Sequence, residues 1–87
     1  MTVEVLYFAG CPHAAGAVAL VRDCVARLGL AIDVVEREGA YPSPSVRVDG
    51  RDVMGEPATA GQSCRLDVPT EDRVIAALRA AQRGEAR

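Results

Sequence analysis

The feature that most constrains the fold is a junction between an apolar strand and a helix near the start of the chain. Residues Thr2 to Phe8 form a nearly continuous apolar run, which is typical of a strand covered on both faces. Proline suits the first turn of a helix, because its missing N–H would have no partner there. We therefore predict that a central strand ends near Phe8, that Cys11 caps a helix, and that this helix starts at Pro12.

The residues after this junction predict a helix followed by a second strand. Apolar residues recur at helical spacing from Pro12 to roughly Leu28, and Gly29 supplies a residue that commonly ends a helix. The run from Leu30 to Arg37 contains an apolar stretch that predicts the second strand. Because such a strand–helix–strand unit is nearly always right-handed, the two strands should be parallel.

The middle of the chain predicts a hairpin that is reached without a further helix. Residues Glu38 to Ser43 are too few for a well-formed helix, so one side of the sheet is expected to be uncovered. Self-association, as a homodimer, is one way to cover it. Ser45–Val48 and Arg51–Val53 then flank Asp49-Gly50, which is a strong signal for a two-residue hairpin turn.

The last third of the chain predicts a long loop and a second helix. Gly55 to Thr70 is rich in turn-forming residues and is expected to be irregular, with at most a short extended piece at Cys64-Arg65-Leu66. Thr70 is a good helix cap, and acidic residues follow it in the first turn. The expected inner face of this helix carries Val74, Ile75, Leu78 and Ala81. Residues Gln82 to Arg87 are expected to fray.

The composition is that of one globular domain over residues 1–87. Of these 87 residues 49% are hydrophobic and 3% are aromatic, so the core must be built mainly from aliphatic side chains. A net charge of -2 argues against nucleic acid and anionic membranes as partners. We see neither a run long enough to span a membrane nor a secretory signal before the first strand, and expect a cytoplasmic protein.

The three cysteines differ in what their positions predict. Cys11, Cys24 and Cys64 are too few and too widely spaced for a secreted disulfide framework, so we expect reduced thiols. Cys24 lies on the inward stripe of the first helix and is expected in the core. At a helix start, unpaired N–H groups and the helix dipole favour the thiolate of Cys11, and protonated His13 would add to this effect. The plain alternative is that Cys11 is a small apolar residue in a turn.

Two stretches carry a resemblance to a known family. Tyr7-Phe8-Ala9-Gly10-Cys11-Pro12 and Gly61-Gln62-Ser63-Cys64-Arg65 together resemble the thioredoxin superfamily, and within it small bacterial thioredoxin-like proteins, some labelled alkylmercury-lyase-like. The resemblance implies a thioredoxin- or glutaredoxin-like α/β fold, with a four-stranded mixed sheet, two main helices and the second family helix shortened or missing. The family motif is Cys-x-x-Cys, whereas this chain reads Cys11-Pro12-His13-Ala14 and lacks the second cysteine.

The resemblance also identifies a substrate-binding edge. Ser43-Pro44 looks like the family's cis-proline step, which lies beside the active cysteine and presents backbone groups to a substrate. It implies a cis peptide bond here, although most X-Pro bonds are trans. Together with Pro12 and His13, which follow Cys11, Ser43 and Pro44 are the expected substrate-binding residues.

The preferred interpretation is thiol–disulfide exchange with a thiol or disulfide substrate and no cofactor. Cys11 would be the nucleophile, and Cys64 a candidate resolving thiol, because the predicted hairpin delivers the Cys64 loop to the Cys11 end of the sheet. Whether the two sulfurs approach closely enough for a disulfide is left open by the sequence.

Two other classes of function stay open at this stage. Cys11 and Cys64 could instead hold a soft metal or an organomercurial, and cleavage of a carbon–mercury bond would then require an acid such as Asp52 or Asp67. The sequence does not choose between these carboxylates, and an ordinary solvated aspartate is the default for each. The chain could also be a thioredoxin-fold interaction module without catalysis.

Overall fold

A computed structural model describes residues 1–56 and 61–84, in which a series of strands lies between two helices along the chain after an initial strand. In chain order the elements are β1 (Val3–Tyr7), α1 (Ala14–Arg27), β2 (Val34–Glu38), β3 (Pro42–Ser43), β4 (Ser45–Val48), β5 (Arg51–Asp52), β6 (Ser63–Cys64) and α2 (Glu71–Gln82). The α/β class, a four-stranded mixed sheet and two helices are therefore confirmed. The predictions for residues 57–60 and 85–87 lie outside the described residues.

β1 is an inner strand of the main sheet, as predicted. The strand order is β2-β1-β4-β5, with β1 parallel to β2 and antiparallel to β4. Val3 of β1 is in register with Val34 on one side and with Val48 on the other. A second, two-stranded sheet pairs β3 with β6 in parallel, and its strands have only two residues each.

The core lies between one face of the main sheet and the two helices. Strand alternation turns Val3 and Val5 to this face, where both are fully buried and in register with buried valines of β4. The buried apolar side chains that the helices add are Ala17, Val18, Val21, Cys24 and Val25 from α1, and Val74 and Leu78 from α2. The core position of Cys24 is confirmed, and burial raises the pKa of its thiol.

The start of α1 differs from the prediction. The cap residue is His13, and the helix begins at Ala14, so the predicted cap at Cys11 and start at Pro12 are wrong. The reason lies in the backbone bonds of the preceding turn: the N–H of Cys11 donates to the Phe8 carbonyl at 3.2 Å, and the N–H of Ala14 donates to the Cys11 carbonyl at 3.3 Å. These bonds close tight turns that precede the first hydrogen bond of the helix along the chain.

The other helix ends follow their local signals. Gly29 has a φ of +66°, and its N–H donates to the Ala26 carbonyl at 3.0 Å while the Leu30 N–H reaches the Val25 carbonyl at 3.1 Å. This arrangement is the glycine-terminated helix end that the sequence predicts. At α2, the Thr70 hydroxyl accepts a hydrogen bond from the Arg73 N–H, which confirms the predicted cap.

The segment between β2 and β4 contains no helix, as predicted. β2 is shorter than predicted, since it begins at Val34 instead of Leu30, and β3 occupies part of the connection. Strand alternation turns Glu4, Arg37 and Arg47 to the face opposite the helices, where Arg37 and Glu4 form an ion pair. Val35 and the buried Leu6 lie on the same face, so it carries both charged and apolar side chains, and a homodimer through it stays a prediction. Within the described ranges, neither helix is long and apolar enough to cross a membrane.

Two glycines provide a matched test of this backbone. Gly50 follows Asp49 in the hairpin turn, and both residues have positive φ, at 81° and 51°. We expect Gly50→Ala to lower the free energy of unfolding by about 1–2 kcal/mol, because a side chain disfavours this conformation. Gly16 lies inside α1 with open space at its Cβ position, so Gly16→Ala should instead raise it by about 0.5–1 kcal/mol.

Urea unfolding of the two variants and the parent protein measures both changes. The predicted hairpin turn would be refuted if Gly50→Ala were as stable as the parent, while Gly16→Ala reports on the helix alone.

Candidate thiol site

Cys11 lies in the turn that joins the carboxyl end of β1 to α1. Its side chain is half-buried and its thiol is free. Gly10 precedes it with a φ of +86°, a conformation that glycine adopts without strain and that reverses the chain at this point. Because α1 is capped by His13, Cys11 stands before the helix cap and not at it.

A largely apolar cavity of about 640 Å³ opens beside Cys11. Ala14, Ala15, Val18 and Ala19 form its wall along α1, and Tyr7 contributes from the end of β1. The far end is lined by Arg22 and Glu36, which form an ion pair with a 2.9 Å distance between Nη2 and Oε2. We call this space the α1 groove. Its size is within the range of small-molecule sites.

The Ser43-Pro44 peptide bond is cis, as predicted. Ser45, the next residue, is in antiparallel register with Leu6, so Pro44 lies at the same end of the sheet as the Cys11 turn. Pro44 also lines a smaller cavity of about 230 Å³ together with Pro12 and His13. The structure therefore brings together three of the four residues predicted to bind substrate.

Ser43, the fourth of these residues, is fully buried. Its hydroxyl has no hydrogen-bond partner among the described residues, and its carbonyl accepts the N–H of Arg65 at 2.8 Å. Ser43 therefore connects the cis step to the segment that carries Cys64.

Cys64 lies beside the cis step in the small second sheet. It is exposed on β6 and is in parallel register with Ser43. All three cysteines are free, and no two of them are at disulfide distance. This register places the Cys64 segment toward the Cys11 end of the sheet, but the pairing of the two thiols stays a prediction.

Arg65 holds the Cys64 segment in place through a buried guanidinium whose exposed fraction is 3%. It donates to the Asp52 carboxylate of β5, to the Ser45 hydroxyl at 3.0 Å, and to both oxygens of Asp67 at 3.1 and 2.7 Å. The Ser45 hydroxyl in turn donates to the Pro42 carbonyl at 2.6 Å. This network, which we call the Arg65 clamp, fastens the loop to the hairpin and to β3.

The clamp changes the expectation for the two carboxylates. The Asp52 side chain is only 1% exposed and is paired with Arg65, so the expectation of a solvated aspartate is wrong at this position. Asp67 is half-exposed, and its hydrogen bond with Arg65 lowers the pKa of its carboxyl. A general acid needs a pKa near the working pH, so Asp67 is poorly suited to protonate a departing carbon at neutral pH. No described geometry favours the organomercurial interpretation.

The described residues contain no group of three or more histidine, cysteine or acidic side chains that could hold a metal ion. His13 is exposed and lines the smaller cavity. A soft-metal site would thus rest on Cys11 and Cys64 alone, and that site stays a prediction.

The Arg65 clamp is the main feature that sequence reasoning missed. Arg65 lies in a loop, and a loop has no periodic pattern from which the burial of a side chain can be predicted. The close spacing of Arg65 and Asp67 was the available local signal. The partner Asp52 follows a hairpin turn, and nothing in its neighbourhood indicates that it is buried.

The clamp predicts a large loss of stability on removal of its arginine. Arg65→Met leaves the buried Asp52 carboxylate without its partner, and we expect the free energy of unfolding to fall by about 3–5 kcal/mol. Arg27→Met is the matched control, because Arg27 joins two carboxylates on the exposed surface between the helices, where ion pairs contribute little. Equal losses in urea unfolding of the two variants would contradict the structural role of Arg65.

The lowered pKa of Asp67 predicts that the free energy of unfolding depends on pH in the acidic range. The carboxylate form is favoured in the folded state, so its stabilisation is present above the ordinary aspartate pKa of about 3.9 and is lost as pH falls through the lower folded value. Asp67→Asn should therefore flatten the fall in stability below about pH 4. The control is Asp33→Asn, at an exposed position with no ion pair within the described residues. Parallel pH profiles of Asp67→Asn and the parent protein would refute the assignment.

Comparison of the chain with protein-family models, with curated proteins and with solved structures gives no match. The comparisons therefore assign no family.

Proposed function

We propose that this chain is a thioredoxin-like protein whose Cys11 thiol exchanges with disulfides. The observation that carries the proposal is a free, half-buried thiol that follows the inner strand β1 and opens on an apolar cavity. A cis X-Pro step at the same end of the sheet supports it, because in the thioredoxin family such a step lies beside the active cysteine. In this chain the backbone of Ser43 before that step is paired with the Cys64 segment, so it is not free to pair with a substrate.

The proposed exchange proceeds through a mixed disulfide. The Cys11 thiolate attacks one sulfur of a disulfide R–S–S–R′, a bond forms between the Cys11 sulfur and the R sulfur, and R′–S⁻ departs and takes a proton from water. When the second thiol is Cys64, its thiolate attacks the Cys11 sulfur, a Cys11–Cys64 disulfide forms and R–S⁻ leaves, so two electrons pass from the two protein thiols to the substrate disulfide. When it is a solution thiol R″–SH, its thiolate attacks the R sulfur, R–S–S–R″ forms, and Cys11 leaves as the thiolate, so the protein is regenerated unchanged.

The source of the second thiol depends on the Arg65 clamp. Since the free thiols of Cys11 and Cys64 are not at disulfide distance, a bond between them requires that the Cys64 segment moves. That movement would disturb buried hydrogen bonds of Arg65, whereas a thiol from solution needs no such movement. We propose Cys64 as the internal resolving thiol, with a solution thiol as the competing route.

Exposure to a small neutral disulfide tests the first step. On treatment with bis(2-hydroxyethyl) disulfide near neutral pH, we expect a mixed disulfide at Cys11 that dithiothreitol reverses. Cys24 should react at least about tenfold more slowly, because its buried thiol is reached only after local opening and its pKa is raised by that burial. Site-resolved mass spectrometry of the folded protein measures both rates.

Two serine variants separate the roles of the thiols. Cys11→Ser should abolish the mixed disulfide at position 11, and Cys64→Ser should leave its formation intact but slow its loss when no solution thiol is added. A Cys11 that is as inert as Cys24 would favour the non-catalytic interaction module over exchange. If the adduct persists equally in the parent protein and in Cys64→Ser, and is lost only when a solution thiol is added, the resolving thiol comes from solution.

A further inference from the structure

The α1 groove has a shape that suits an elongated ligand attached to Cys11. The side chains along α1 are small, which leaves space between this helix and Glu36 in the middle of β2. From Ala14 to Arg22 the helix rises by roughly 12 Å at its ordinary pitch, so the groove continues well beyond the reacting sulfur. This length is more than a bare disulfide group needs.

The charges around the groove disfavour an anionic ligand. Arg22, the cation among the lining residues, is already paired with Glu36. Glu38 is in register with Tyr7, so both side chains leave the same face of the sheet at the Cys11 end. Within the described residues Glu38 has no ion-pair partner. An anion at this end would meet an uncompensated negative charge, whereas a neutral or cationic group would not.

We propose that the α1 groove makes Cys11 selective for disulfides that carry an uncharged apolar arm. The arm lies along the alanine and valine side chains of α1 while its sulfur reacts with Cys11. This inference rests on the proposed exchange reaction and names its substrate class. When the arm enters the groove, its apolar surface is removed from contact with water. A longer arm gains more from this burial than a shorter one.

Alkyl methanethiosulfonates of increasing chain length test the inference on the intact protein. The Cys11 thiolate attacks the alkyl-bearing sulfur, a disulfide bond forms, the bond between the two reagent sulfurs breaks, and methanesulfinate leaves. Cys64 is the internal reference, because it is exposed and does not line the groove. We expect the ratio of the Cys11 rate to the Cys64 rate to rise by about two- to fourfold for each added methylene that becomes buried.

Charged reagents of similar length test the electrostatic part. We expect the same ratio to be about twofold lower for a sulfonatoethyl reagent than for a trimethylammonioethyl reagent, because Glu38 repels the first and attracts the second. Glu38→Gln should remove this difference while the dependence on chain length persists.

A matched pair of variants tests whether the groove itself selects. Ala19→Phe places a large side chain in the groove and should abolish the dependence on chain length. Ala26→Phe, at an exposed position of the same helix outside the groove, should retain it. The urea midpoints of both variants show whether each is folded, and the chain-length series on the parent protein is decisive without them.

The outcomes distinguish this inference from the proposed function. A reactive Cys11 whose rate ratio is independent of chain length would overturn the groove proposal and leave disulfide exchange intact. A Cys11 that reacts with none of the reagents in the folded protein would overturn the proposed function and the inference with it.

Discussion

The pairing of β1 on both edges is the constraint on which the thiol site depends. Its parallel register with β2 and antiparallel register with β4 hold the strand between its neighbours, while its buried valines fix it against the helices. The end of β1 therefore has a defined position, and Cys11 follows it after a short turn. The same register brings Pro44 to that end, since Ser45 pairs with Leu6. One strand thus sets the relative positions of the thiol and the cis step.

The Cys64 segment is not positioned by β1, and the ion pairs and hydrogen bonds of Arg65 hold it instead. The Cys64 segment has only a two-residue strand, too little backbone pairing to fix a loop, and it carries a fully exposed Leu66. Arg65 supplies directional bonds in place of apolar packing. A planar guanidinium with several donors suits this role, because it can contact two carboxylates and a hydroxyl at once. The Cys64 segment is consequently fixed by polar contacts with the hairpin.

These two arrangements leave the thiols of Cys11 and Cys64 in different environments. Cys11 opens on a groove whose wall is made of small apolar side chains, whereas Cys64 lies on the surface beside the cis step. The first environment favours contact with the body of a substrate, and the second favours access to solvent. For a chain without a second cysteine in its motif, this separation is consistent with an adduct that forms at Cys11 and is resolved by another thiol.

The sequence by itself determined the elements whose causes are local. Helical spacing, Gly29, the Asp49-Gly50 turn and the Thr70 cap each act through neighbouring residues, so each was predicted correctly, and the cis bond followed from a resemblance at Ser43-Pro44. Only the tertiary structure decided the cap at His13, the small β3–β6 sheet, the α1 groove and the pairing of Arg65 with Asp52. The sheet, the groove and the ion pair depend on groups from separate elements, and the cap depends on which backbone hydrogen bonds form in the turn around Cys11. No periodic or compositional signal encodes such contacts, because they arise only when the folded chain brings their partners together.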